Sequence, residues 1–181
     1  SGHGLDRLLK SLRHAFPDAT TTTKRLDIAD AGEPLAQVFK VQHGAQTGKV
    51  FFARVWRGEF TDGQTYNGQR VSGLFHMLGQ QQNKVTSVNL GEVAAFGRMD
   101  EVVTGALLSP SGEAEGPGLP DPLSPVYALA IHAARREDEV KLTDALSKLR
   151  EEDPSLLVEA HPDTKELVLH GQGETHLRLA I

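Results

Sequence analysis

The sequence predicts a mainly β protein with an α+β portion: a small antiparallel β-barrel followed by an incomplete β-α-β-β unit. Three observations predict it. Between Pro34 and Leu108, short β-branched or aromatic runs alternate with glycine turns. Residues 110–125 are rich in proline and glycine and lack apolar periodicity. Beyond them come one strand, one charged amphipathic helix and a hairpin. The first pattern is that of a barrel, the second of a linker, the third of a two-layer α+β unit.

Leu5, Leu8, Leu9, Leu12 and Phe16 recur at helical spacing opposite Asp6, Arg7, Lys10 and Arg13, and Pro17 stops the run. This is a short amphipathic helix whose apolar stripe has no obvious partner in the rest of the chain. Ala19 to Ile28, with four consecutive threonines, reads as an extended linker. Strands are expected at Leu35 to Gln42, Val50 to Trp56, Gln64 to Tyr66, Gln69 to Met77, Val85 to Leu90, Val93 to Phe96 and Ala106 to Leu108. Closing them into a barrel removes edges that otherwise pair with other chains. Gln80-Gln81-Gln82-Asn83 reads as a polar loop tip.

Val126 to His132 reads as a strand, and Asp138 to Arg150 as a helix with Leu142, Ala145, Leu146 and Leu149 on one face. Leu156 to Ala160 and Glu166 to His170 form a hairpin, and a second helix begins after Gly173. This order is the first part of the ferredoxin-like unit. With no fourth strand, one sheet edge and one helix face are expected to stay unburied. The implied boundaries are 31–109 for the barrel, 110–124 for the linker and 125–181 for the partial ferredoxin-like domain.

Apolar residues make up 39% of the chain before its 18 glycines are added, which is a globular composition. The chain has no cysteine, which removes disulfides, thiol nucleophiles and cysteine-ligated zinc, and fits a reducing, cytoplasmic setting. No run approaches the ~20 apolar residues that span a bilayer. A formal charge of −5 argues against general nucleic-acid binding, so any RNA contact is local and led by shape.

No catalytic constellation stands out. There is no Gly-x-Ser-x-Gly elbow and no Gly-x-x-x-x-Gly-Lys-Ser/Thr cradle. His161, His170 and His176 lack metal-ligand spacing and read as surface histidines. Gly171-x-Gly173 is too short for a dinucleotide fingerprint and reads as a tight strand-to-helix turn. The cations placed for phosphate contact are Lys49, Arg54, Arg57, Lys84, Arg135 and Arg136, on barrel turns, a barrel edge or the loop before the helix. For any one of them, a sheet-surface ion pair worth ~0–1 kcal/mol is the simpler reading. Trp56 and Phe75 are able to stack on a base, but their alternation places them in the barrel core.

A family resemblance runs along nearly the whole chain. Glu151-Glu152-Asp153-Pro154, the hairpin and Gly171-Gln172-Gly173-Glu174-Thr175-His176-Leu177 resemble the third domain of translation elongation factor G, where "GMGELHLE" occurs. Pro34 to Lys40 is similar to the "PLVALVFK" that opens the second domain. Val50 to Gly58 resembles "LSYFRVYSG", with Arg54 at its arginine, and Leu90 to Ala95 resembles "YAGDIAAV". Gln172, Thr175 and Arg178 depart from the usual motif, as does His132-Ala133-Ala134. A housekeeping factor and a divergent paralogue both fit.

The resemblance implies a translation-factor barrel and part of the third domain, taken from a GTP-driven ribosomal factor. Residues 1–30 would then hold the last helix of a preceding GTP-binding domain plus a linker. Ser1-Gly2-His3 looks like a cloning remnant, and an excised piece is expected. GTP and magnesium are expected in that missing domain, and no cofactor or metal is expected in this chain. The implied partners are the ribosome, through ribosomal RNA and small-subunit protein, and the GTP-binding domain, which Gly173, Glu174 and His176 would face; no membrane partner is implied. A ribosomal protection or peptide-release relative, or an interaction adaptor without a GTP-binding half, are the alternative readings.

Overall fold

The computed structural model describes residues 3–44, 48–79 and 81–181. Helix α1 (Leu5–Ala15) has no buried residue, and Leu5, Leu8, Leu9 and Leu12 are exposed together with Phe16 just beyond it. It ends where expected, because Phe16 precedes a proline and is driven to an extended conformation.

The extended linker expected over Ala19 to Ile28 is instead a second helix, α2 (Ala19–Arg25). β-Branched threonine costs a few tenths of a kcal/mol per helical position, and a single good cap offsets much of that cost. Asp18 supplies that cap by accepting from the Thr21 N–H at 2.6 Å and the Thr20 hydroxyl at 2.9 Å. Thr22 and Thr23 turn their hydroxyls back onto carbonyls of the preceding turn, and Thr23 is buried.

The first core is built on a six-stranded antiparallel sheet. Its strands are β1 (Leu35–Gly44), β2 (Gly48–Arg57), β6 (Leu74–Leu78), β7 (Gln81–Lys84), β9 (Val93–Gly97) and β10 (Leu107–Leu108), in the order β10-β1-β2-β9-β6-β7. Two short ribbons, β3 (Glu59–Thr61) with β8 (Ser87–Asn89) and β4 (Thr65–Tyr66) with β5 (Gln69–Arg70), complete it. Buried Ala36, Val38, Phe51, Val55, Phe60, Leu74 and Phe96 lie between them. Phe51 stacks on Phe96 at 5.3 Å, and Phe60 meets the Phe96 ring edge-on at 5.9 Å. Such aromatic pairs add to the area term.

Among the described residues the ladders do not close into a ring, since β10 and β7 are the ends of the sheet. The β10 end is covered by a side chain rather than by a strand. Asn67, at positive φ in the β4–β5 turn, donates through its amide to the Leu107 carbonyl at 2.7 Å and accepts from the Ser109 N–H at 2.9 Å. The Gln69 to Met77 run is split into β5 and β6, and Glu59–Thr61 is a strand the sequence did not announce. Gln81, Gln82 and Asn83, read as a loop tip, belong to exposed β7; Gln80 lies outside the described residues.

The second core follows the expected order: β11 (Tyr127–Ile131), α3 (Glu139–Glu152), β12 (Leu157–Ala160), β13 (Leu167–Gly171) and α4 (Glu174–Ala180). Its antiparallel sheet runs β11-β13-β12, so among the described residues both β11 and β12 are edges, one more than the single edge expected. Leu146 of α3, Leu156, Leu169 of β13 and Leu177 of α4 form the buried centre. Between the cores, residues 109–126 carry no helix or strand, yet they are held along the first core. Ser111 bonds both Glu33 oxygens, and Gln37 donates to the Pro117 carbonyl.

Candidate functional site

Strand alternation sends Phe51, Ala53 and Val55 of β2 into the first core, so Phe52, Arg54 and Trp56 emerge on the outer face of the sheet. Register then assembles a lateral row across that face. Lys40 lies opposite Phe52, Phe52 opposite Ala95, Ala95 opposite Phe75, and Phe75 opposite Lys84. A neighbouring row pairs Gln37, Arg54 and Val93. Phe39, at the register shift between Val38 and Lys40, is 43% exposed and lies 6.4 Å from the Phe52 ring.

The centre of this face is preorganised. The Arg54 guanidinium lies 5.0 Å from the Trp56 ring centroid, in cation–π range. The Trp56 indole N–H donates to Gln37 Oε1 at 3.2 Å, and Gln37, only 4% exposed, is anchored at its other end by the Pro117 carbonyl. Arg54 Nε is buried and has no hydrogen-bond partner. An unpaired buried donor is costly.

The six predicted cations do not share a surface. Arg54 and Lys84 lie on the outer face; Lys84 pairs with Asp62 at 3.1 Å while staying 68% exposed. Lys49 is spent elsewhere, donating to the Asp100 carbonyl at 2.6 Å and pairing with Glu151 at 2.9 Å. Arg57 straps the preceding segment, bonding the carbonyls of Glu33 at 2.7 Å and Ala29 at 2.9 Å. Arg135 and Arg136 are exposed at the entry to α3, on the second core. Trp56 and Phe75, assigned to the barrel core by alternation, instead lie half-buried on the outer face. Sequence reading missed Lys40 and Phe39, because the β1 bulge breaks the period that would have phased them; Phe52 was missed although the unbroken alternation of β2 sets it on the same face as Arg54 and Trp56.

His176 is part of the fold of the second core. Its Nδ1 accepts from the Gln172 N–H at 3.1 Å, so the proton resides on Nε2, which donates to Asp153 Oδ2 at 2.9 Å. The Ser155 hydroxyl donates to the other Asp153 oxygen at 2.6 Å, so serine and imidazole never meet and no nucleophile is activated. Burial alone would raise the Asp153 pKa, but the hydrogen bonds from Ser155 and the His176 partner outweigh it and hold the carboxyl below its ordinary value. Glu174 is exposed and paired with Arg178 at 2.7 Å, and Gly173 faces open space. Among the described residues, no three His, Cys, Asp or Glu side chains converge as a metal site. No helix among them is long and apolar enough to cross a membrane.

Residues 122–181 match the family described as Elongation Factor G, domain III. The Elongation factor G-like protein of Synechocystis is 39% identical over 180 residues, covering 98% of this chain and 27% of that protein. Elongation factor G of Thermotoga neapolitana is 35% identical over 159 residues, covering 84% of this chain and 23% of its own length. Elongation factor G of Amoebophilus asiaticus is 32% identical over 172 residues, covering 89% of this chain and 24% of its own length. A crystal structure from Thermus thermophilus superposes with a TM-score of 0.80 at 33% identity, over 98% of this chain and 27% of that one. The chain thus spans about a quarter of the length of the relatives it matches. With its β-rich first core, its β-α-β-β second core and these matches along its length, the chain belongs to the elongation factor G family and corresponds to part of such a factor.

Proposed function

We propose that this chain is the ribosome-docking and coupling portion of an elongation factor G-like translational GTPase. The observation that carries the reading is the outer sheet face, where Arg54 stacks on Trp56 beside Phe52, Phe75, Lys40 and Lys84. A stacking platform flanked by cations suits structured RNA, and it needs no net positive charge on the whole chain. Residues 31–109 then act as the second domain, 110–124 as the connection and 125–181 as part of the third. The exposed leucine stripe of α1 is the surface that a GTP-binding domain would cover.

The nucleotide does not fit this chain itself, whose sequence offers no phosphate cradle and whose described carboxylates form no metal cluster. GTP and magnesium would be held outside residues 1–181, in the cytoplasm. Identity of 39% to an elongation factor G-like protein, against 35% and 32% to elongation factor G itself, favours the divergent paralogue over the housekeeping factor.

The test is co-sedimentation of the GTPase carrying this chain with ribosomes, in a non-hydrolysable GTP analogue and in GDP. Binding should be stronger with the GTP analogue, and Arg54→Ala should weaken it by roughly tenfold, the loss expected for one charge-assisted contact. Binding indifferent to the nucleotide would defeat the GTPase reading. Nucleotide-dependent binding that ignores Arg54→Ala would move docking to another surface.

A further inference from the structure

Gln37 is paired with Arg54 of β2 on one side and with Leu107 of β10 on the other, so the three side chains emerge on the same outer face. At this end of the sheet the connecting segment covers that face. A Cβ on Gly116 would stand 3.2 Å from the Leu107 side chain and 3.3 Å from that of Leu35, so the backbone lies directly on the two leucines. The cover explains why Gln37 is almost fully buried on a face where its neighbours in the ladder are half-exposed.

A side chain at this position needs one donor and one acceptor. The Trp56 indole N–H only donates and the Pro117 carbonyl only accepts, so an amide satisfies both in a single orientation, Oε1 toward Trp56 and Nε2 toward Pro117. Ionised glutamate has no donor to offer, and methionine lacks both strong groups. The ring that Gln37 holds in turn carries the Arg54 guanidinium at 5.0 Å. Because Arg54 Nε has no hydrogen-bond partner, the Trp56 ring is what seats it. Support therefore runs from the connecting segment through Gln37 and Trp56 to Arg54.

We propose that Gln37 is a positioning residue for the Arg54–Trp56 platform, with Pro117 as its fixed point, so that residues of the connecting segment are a structural part of the docking face. Gln37 fixes the plane of the indole, and the plane of the indole fixes the direction in which Arg54 presents its charge. Its effect on docking rests on the reading of this face as the ribosome-docking surface, whereas its hold on Trp56 does not.

Two measurements separate these. Trp56 is the single tryptophan, so an indole-labelled chain gives one indole N–H resonance whose hydrogen exchange reports the contact with Gln37. Gln37→Met keeps much of the volume and removes both contacts; it should speed that exchange about tenfold, the upper range for one net hydrogen bond, while the β1–β2 amides stay protected. Gly116→Val, which crowds the segment off Leu35 and Leu107 without altering Gln37 or Trp56, should speed the same proton and gives the decision if Gln37→Met does not fold. Unchanged indole exchange in a folded variant overturns the positioning role. In ribosome co-sedimentation of the GTPase carrying this chain, with the non-hydrolysable GTP analogue, Gln37→Met should weaken binding about fivefold. In a Trp56→Phe background, which keeps a ring but has no indole N–H, the same substitution should change binding less than about twofold, because the two residues act as one unit. An equal loss in both backgrounds would mean that Gln37 contributes only general stability, and overturns the proposal. Binding that ignores Arg54→Ala removes the docking reading alone, and the indole exchange then still decides whether Gln37 positions the platform.

Discussion

At the scale of single residues, Gly171 shows how close approach rather than turn geometry selects a glycine. A Cβ there would stand 2.5 Å from Leu177 Cδ2 and 3.0 Å from His176 Nδ1. Gly171→Ala should therefore cost about 1–3 kcal/mol in urea unfolding, as overpacking does. Gly173→Ala should cost much less, since its φ of 163° is extended and nothing lies within 4 Å. Gln172, where the resemblance leads one to expect methionine, donates its amide to the carbonyls of Leu123 at 3.0 Å and Ser124 at 3.2 Å. A thioether has no donor to offer them, so the departure ties the connecting segment to the second core. Asp62 shows the electrostatic side. The Gly73 N–H holds its carboxylate at 2.8 Å and, against the cost of burial and with help from Lys84, keeps its pKa below the ordinary 3.8. Its contribution to stability is full above 3.8 and is lost as pH falls through the lower folded-state value. The stability difference between the chain and Asp62→Asn should thus be constant near neutrality and shrink in acid; a difference that persists in acid would mean the charge is not its source.

At the scale of elements, α2 exists because one carboxylate begins it. Asp18→Ala removes the acceptor for the Thr21 N–H and should loosen the start of α2, as loss of a cap does. Faster hydrogen exchange at the Thr22 and Leu26 amides, with the β1–β2 ladder unchanged, is the signature to look for. A Cβ at Gly91 would come within 2.6 Å of the Ala19 Cβ, so tertiary contact fixes where this helix lies after the cap has started it. Threonine composition concealed α2 because propensity is a weak prior that one cap and one buried face reverse. β7 was hidden for a related reason: a short, polar edge piece owes its strand geometry to its neighbour β6, while β3, three residues around the buried Phe60, is too short to show a period and is held by β8.

At the scale of the molecule, two cores with a polar junction should unfold as two units. Trp56 is the single tryptophan and sits on the first core, whereas α3 belongs to the second. Leu169→Ala, at a fully buried position, should remove about 2–5 kcal/mol from the second core. The helical signal should then melt before Trp56 fluorescence responds. Coincident transitions would show one cooperative unit instead.

Sequence alone determined the β-rich first half, the β-α-β-β order of the second and the family, because these rest on local periodicity and on motifs contiguous along the chain. It also located Arg54, Lys84, Trp56 and Phe75 as residues of interest. What it did not determine is which of them act together. Register across five strands, a bulge at Phe39, the ion pair of Lys49 and the carbonyl hydrogen bonds of Arg57 decided that. Such partners lie far apart in sequence, and a one-residue slip turns a strand's side chains to the opposite face.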